Sequence, residues 1–156
     1  MADTTPPGSP ADHLPAGAAP EPSTAERIRD SNRGTLMERM GIEILEASAE
    51  GAVGTMPVDG NTQPYGLLHG GASVVLAETL GSWAAMLHAG PGRQAVGIEV
   101  SATHHRGARD GLVTGRATAL HLGSTTASYA IVVEDSTSRR VCTARLTCLL
   151  MDSRAG

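Results

Sequence analysis

Glu78 is the only charged side chain between Asp59 and Arg93, and it stands in the middle of an apolar run from Gly70 to Leu87. Burying a carboxylate without a partner is costly, and no cation lies nearby in sequence. Burial also tends to raise a carboxyl pKa, which suits a general base. Upstream, Gly70 and Gly71 fall where a helix would begin. The first amides of a helix lack intrahelical acceptors, the helix dipole favours negative charge there, and glycine lets a ligand approach the main chain. Together they offer donors for a carbonyl oxygen that gains charge during a reaction. Gln63 can donate to a carbonyl or orient a nucleophile, and His69 can fix the loop or take part directly. Ser82 lies one helical turn beyond Glu78, where its hydroxyl can meet the carboxylate or a water, or simply serve as a small residue at a helix contact. Thr79 is a weaker candidate at a neighbouring angle.

Gly70 and Glu78 cannot serve one carbonyl from a single chain. Their separation in sequence is about 12 Å along a regular helix axis. If they act together, Glu78 must come from a second copy. The spacing therefore predicts a dimer with shared active sites.

The elements that must position these residues are legible from pattern. Strands are expected over 41–49 and 52–58, joined at Glu50-Gly51. Residues 61–69 form a loop marked by Pro64 and Gly66, and the helix runs from about Gly70 to Leu87 before the stop at Gly90-Pro91-Gly92. Four more strands are expected over 94–105, 111–121, 125–134 and 140–151. The helix is apolar nearly all round, so it should be enclosed. The order β-β-α-β-β-β-β predicts an α+β domain in which a curved antiparallel sheet wraps one central helix. A short helical piece is expected over 31–39. Residues 1–24 hold six of the nine prolines, and three acids with no base, and read as a disordered tail before a domain over 25–156.

Composition removes several function classes. A formal charge of −4 gives no reason to expect nucleic acid. Residues 70–89 approach membrane-span length, but a central acid costs roughly 2.5–3.5 kcal/mol on insertion scales, so no membrane partner is expected. The start lacks the basic and apolar regions of a secretory signal. Cys142 and Cys148 would share a strand face but stand about 20 Å apart, too far for a disulfide. They read as reduced, buried thiols of a cytoplasmic protein. His104-His105 invites a metal, but neighbours on a strand point to opposite faces and no cluster completes a site, so no metal is expected. Serine hydrolase chemistry lacks its Gly-x-Ser-x-Gly elbow.

The block Gln63-Pro-Tyr-Gly-Leu-Leu-His-Gly-Gly-Ala72, with Glu78 and Ser82, resembles the glutamate-type branch of the hotdog-fold acyl-CoA thioesterases. The likeness extends from Thr55-Met-Pro-Val-Asp59 through Val96-Gly-Ile-Glu-Val100, Ala108-Arg-Asp-Gly111, His121-Leu-Gly-Ser124 and Arg145-Leu-Thr147. It is strongest to bacterial 1,4-dihydroxy-2-naphthoyl-CoA thioesterases, a menaquinone-biosynthesis activity, and to their aryl-carrier-protein proofreading paralogues. The phenylacetate-pathway branch has Asp where this chain has Glu78. The resemblance implies hydrolysis of an acyl- or aroyl-CoA thioester with no cofactor. It makes Glu78 nucleophile or general base and Gly70 N–H the oxyanion donor. Gln63 and His69 would position the thioester, and Ser82 would assist the water step. On the substrate-binding side it implies His104 near the acyl group, with Gly71, Ser124, Thr125 and Arg106 toward the rest of the CoA. It also implies a homotetramer. Tyr65 and His105-Arg106-Gly107 depart from the family pattern and bear on acyl specificity. A carrier-protein thioesterase and a non-hydrolytic acyl-CoA-binding module are the alternatives.

Overall fold

The computed structural model describes residues 23–153. Its elements are α1 (Thr24–Ser31), α2 (Leu36–Arg39), β1 (Glu43–Ser48), β2 (Gly51–Pro57), α3 (Gly70–Ala89), β3 (Arg93–His104), β4 (Leu112–Leu122), β5 (Thr126–Glu134) and β6 (Arg140–Asp152). The six strands form one antiparallel sheet in the order β1-β2-β4-β5-β6-β3. α3 touches every strand. This is the wrapped helix that the element order predicts.

Alternation along the strands decides which side chains meet α3. On β5, Ala127, Tyr129, Ile131 and Val133 are buried, and on β6 so are Cys142, Leu146, Cys148 and Leu150. The helix answers with small residues: Ala72, Ala77, Gly81, Ala84, Ala85 and Ala89 are all on its buried side. Close approach is built into the sheet as well. Gly54 and Gly115 face each other across β2 and β4. A Cβ on Gly115 would lie 2.5 Å from Leu80 Cδ1, and one on Gly54 would lie 2.9 Å from Leu80 Cδ2. Leu80, fully buried, occupies the space those two side chains leave.

Three expectations need correction. The helix is not enclosed all round. The sheet covers one side, while Glu78, Met86 and Leu87 on the other side are exposed. A single sheet can wrap only one side of a cylinder, so the rest of this apolar helix awaits another cover. Glu78 is therefore not a buried acid within one chain. Second, of the helical piece expected over 31–39 only Leu36–Arg39 forms a helix, α2, while Ser31 ends α1, which begins at Thr24. Ser23 caps α1 through a reciprocal box with Glu26, and Gly34, with φ of 73°, breaks the chain before α2. Third, Ser23 and Thr24 belong to that capped helix and not to the tail; residues 1–22 of the expected tail lie outside the described residues.

Candidate active site

The loop before α3 is a tight, braced hairpin. Thr62 bridges Leu68, Gln63 N–H donates to the Leu67 carbonyl at 2.8 Å, and Gly66 takes a φ of 70° at the tip. Asn61 anchors its base, donating through Nδ2 to the carbonyls of Met40 and Pro57, both at 2.9 Å. The Asn61 carbonyl accepts from His69 N–H. These bonds fix the angle at which the chain enters α3.

At the helix start the amides are not equivalent. His69 is the N-cap, and its Nδ1 accepts from Gly71 N–H at 2.9 Å. Ala72 and Ser73 donate back to the His69 carbonyl. Among the described residues, no acceptor faces the Gly70 N–H. Gly71, expected to bind substrate, has its amide committed to His69, because a histidine at the N-cap satisfies the next free donor. His69 accordingly shows the loop-fixing contact rather than one to the cavity. The His104 ring closes over Gly70: a Cβ there would lie 2.9 Å from His104 Nε2. A side chain at 70 would have to displace that imidazole. A cavity of about 470 Å³ opens here, lined by Gln63, Gly70, His104 and Arg106. His105 also borders this cavity, with its Nε2 2.8 Å from Thr143 Oγ1.

Two turns further along α3 is a second cavity of about 360 Å³. Glu78, Thr79 and Ser82 line it together with Val75, Trp83, Met86 and Ala95, and α2 adds Leu36 and Met37. Glu78 lies over β3, where a methyl carbon at Gly97 would sit 3.4 Å from its Oε1. β3 bulges immediately after, at Ile98. Trp83, Val75, Met86, Leu36 and Met37 were not identified from sequence. Trp83 is the one tryptophan of the chain, five residues from Glu78, and that was the available signal. The α2 residues gave none, since only the fold brings them near.

Gln63, Gly70, His104 and Arg106 are therefore brought together, and so are Glu78 and Ser82, but the two groups line different cavities. α3 is unbroken between them, so the separation of about 12 Å stands. Ser124 and Thr125 join neither group. They form the β4–β5 turn at the far end of α3, where His88 Nε2 meets the Gly123 carbonyl at 2.9 Å and Arg93 donates to the Ser124 carbonyl at 2.8 Å. Within one chain that turn and Gly70 are a whole helix apart.

The arrangement can polarise a carbonyl at one end and activate water or attack at the other. The sequence profile of the thioesterase superfamily matches residues 65–142. The chain is 46% identical over 129 residues to the proofreading thioesterase EntH of Cronobacter turicensis, covering 82% of this chain and 94% of that one. A putative esterase of Vibrio cholerae is 44% identical over 135 residues, covering 86% of this chain and 90% of its own. Two solved structures superpose with TM-scores of 0.81. One is a thioesterase of Haemophilus influenzae at 34% identity, covering 87% of this chain and 97% of that one. The other is a mutant thioesterase of Pseudomonas aeruginosa at 39%, covering 85% and 97%. With its sheet wrapped around α3, the protein is a hotdog-fold thioester hydrolase and belongs to the thioesterase superfamily.

Proposed function

We propose that this protein hydrolyses acyl- or aroyl-CoA thioesters at sites shared between two copies. The observation that carries this reading is the division of labour along α3: a free amide at Gly70 and an unpaired acid at Glu78, in separate cavities. The proposed dimer joins through β3. That strand ends the sheet, and its Val96, Ile98 and Val100 are 45%, 57% and 38% exposed. An apolar edge strand with free backbone groups is a template for pairing with its own copy. Pairing there extends the sheet and covers the open side of α3. It also brings Glu78 toward Gly70 of a second copy.

In such a site the thioester carbonyl oxygen accepts from Gly70 N–H, and Gln63 and His104 border it. The Glu78 carboxylate attacks the carbonyl carbon or takes a proton from the attacking water. The tetrahedral intermediate then collapses, the C–S bond breaks, and the thiolate of CoA leaves to take up a proton. Hydrolysis of the mixed anhydride, on the first route, frees the acid. Ser82 supports the water step. The acyl group faces Val75, Trp83 and Met86, whose apolar surface suits an aromatic or aliphatic chain. Arg106, which lines the Gly70 cavity, pairs with the phosphates.

Outward leucines on the sheet, Leu112, Leu120 and Leu149, are 51%, 59% and 38% exposed and offer a second interface for a homotetramer. The buried free thiols Cys142 and Cys148 suit the cytoplasm. A carrier-protein thioester is the second reading, favoured by the likeness to a proofreading thioesterase. The test is release of free thiol, followed with a thiol reagent, from aromatic and aliphatic CoA thioesters and from the same acyl groups on a carrier protein. CoA substrates turning over faster supports the first reading; carrier-protein substrates turning over faster supports the second. Turnover of neither overturns both.

A further inference from the structure

Ser73 is a buried hydroxyl that the reaction above does not use. It stands on α3 three residues after Gly70, and only 1% of its surface is exposed. It lines the Gly70 cavity with Gln63, His104 and Arg106, and of these polar side chains it alone is fully buried. Residues three apart share a helix face, and Cα–Cβ bonds tilt toward the helix N-terminus. The Ser73 side chain therefore leans back toward Gly70 from a position about 4.5 Å further along the axis. Among the described residues its hydroxyl has no hydrogen-bond partner. The usual partner of a serine inside a helix is the carbonyl one turn back. For Ser73 that is the His69 carbonyl, which already accepts from Ala72 N–H at 2.9 Å and from Ser73 N–H at 3.3 Å. A carbonyl oxygen has two lone pairs, so both are taken. Nor is the hydroxyl sealed in the core: among the described residues, the one fully sealed side-chain oxygen or nitrogen without a partner is Asn32 Oδ1. The little surface that Ser73 keeps opens on the cavity.

We propose that Ser73 is a second oxyanion donor, whose O–H donates to the same thioester carbonyl oxygen that accepts from Gly70 N–H. The inference rests on the reading of Gly70 and Glu78 given above. A single amide offers that oxygen one hydrogen bond, and an oxyanion can accept more than one. A buried hydroxyl left unpaired costs free energy, and the free enzyme carries that penalty until a substrate oxygen arrives. The donor then has no bond to give up as negative charge develops, which is the condition for strong electrostatic stabilisation. Gln63 and His104 border the same oxygen but keep more of their surface exposed, so water competes for them.

The experiment compares the full parent chain with Ser73→Ala, using benzoyl-CoA as substrate. Loss of one oxyanion donor should lower kcat about 10²-fold and leave KM within about twofold of the parent. Thermal unfolding separates this from a structural role. Ser73→Ala removes a buried hydroxyl that has no partner in the free protein, so its unfolding midpoint should equal or exceed that of the parent. A parental kcat, or a midpoint that falls together with kcat, overturns the proposal. A second readout follows the bond itself. In a Glu78→Gln background the thioester persists when bound, and an isotope-labelled carbonyl can be observed by infrared difference spectroscopy. Binding should lower the carbonyl stretch below its value in water, and adding Ser73→Ala should move it part of the way back. A stretch that Ser73→Ala leaves in place refutes the bond. Failure of the underlying reading looks different: Glu78→Gln would then hydrolyse the bound thioester, or the stretch would not move on binding even with Ser73 present, and either result overturns both.

Discussion

The two cavities along α3 are built from different materials. The one at the helix start sets Gln63, His104 and Arg106 among Leu67, Leu68 and Val141 and is braced by directed bonds, His69 on Gly71 and Asn61 on Met40 and Pro57, with the His104 ring over Gly70. The one at mid-helix has one acid and two hydroxyls in a wall of Val75, Trp83, Met86, Leu36 and Met37. Hydrogen bonds fix a donor's direction, which electrostatic stabilisation of a developing oxyanion requires. An apolar wall selects by shape and lowers the local dielectric around a carboxylate. Each cavity lacks what the other has, and on the proposed reading a complete site needs both.

The largest expected effect breaks the comparison on its acid side. Glu78→Gln keeps the shape and removes the base or nucleophile, so kcat should fall by about 10²- to 10⁴-fold. Steady-state CoA release measures it, with circular dichroism to confirm folding. Activity near the parental level would remove Glu78 from the reaction. On the donor side, Gly70→Ala places a methyl group where His104 Nε2 would be 2.9 Å away. Displacing the ring and shifting the amide should lower kcat about 10²-fold. The two dead variants together test the division itself. In an equal mixture with free subunit exchange, about a quarter of all sites combine an intact Glu78 with an intact Gly70 from different copies. Activity should return to about that fraction. No recovery, with exchange verified by mass spectrometry, would place both groups in one chain.

The polar cavity was the more legible of the two from sequence. Gln63 and Gly70 could be named because polar residues and glycines in a loop before a helix have few other reasons to be there, whereas His104, at the end of β3, was named only through the family resemblance. The sheet and α3 were legible too, since alternation on β6 and the stop at Gly90-Pro91-Gly92 act locally. The apolar cavity was half hidden. Glu78 and Ser82 stood out, but a tryptophan and a methionine in an apolar stretch look like core. Leu36 and Met37 reach Val75 and Trp83 only through the fold. Glu78 illustrates the limit: its surroundings in sequence are apolar, yet one chain leaves it exposed. On the proposed reading, the burial that the pattern implies comes from a second chain, which periodicity along one chain does not contain.

A smaller effect sharpens the role of the apolar wall. Trp83→Ala enlarges the mid-helix cavity without touching the polar one. For a long aliphatic or bulky aromatic acyl-CoA, kcat/KM relative to that for benzoyl-CoA should rise about tenfold. A uniform loss across all substrates would mean that Trp83 holds the helix and not the acyl group.

The smallest effect separates the two sides by pH. The β5–β6 turn carries Asp135, whose carboxylate accepts from Thr137 N–H at 2.9 Å, Thr137 Oγ1 at 2.7 Å, Arg139 N–H at 3.0 Å and Arg139 Nε at 2.9 Å. These bonds, the Thr137 hydroxyl foremost, hold its carboxyl well below the usual carboxylate range. The turn lines a cavity with Arg106 and Arg109, so it borders the polar side. A depressed folded pKa contributes stability that is present above the unfolded value of about 3.9 and is lost as pH falls through the folded one. Acidification below about pH 4 should therefore lower the unfolding midpoint, and Asp135→Asn should flatten that dependence. Hydrogen exchange should show the turn and residues 106–111 opening before the buried face of α3, where Leu76, Ala77, Leu80, Ala84 and Ala85 pack on the sheet. Equal loss of protection on both sides, or coincident curves for parent and Asp135→Asn, would show that this turn does not hold the polar half in place.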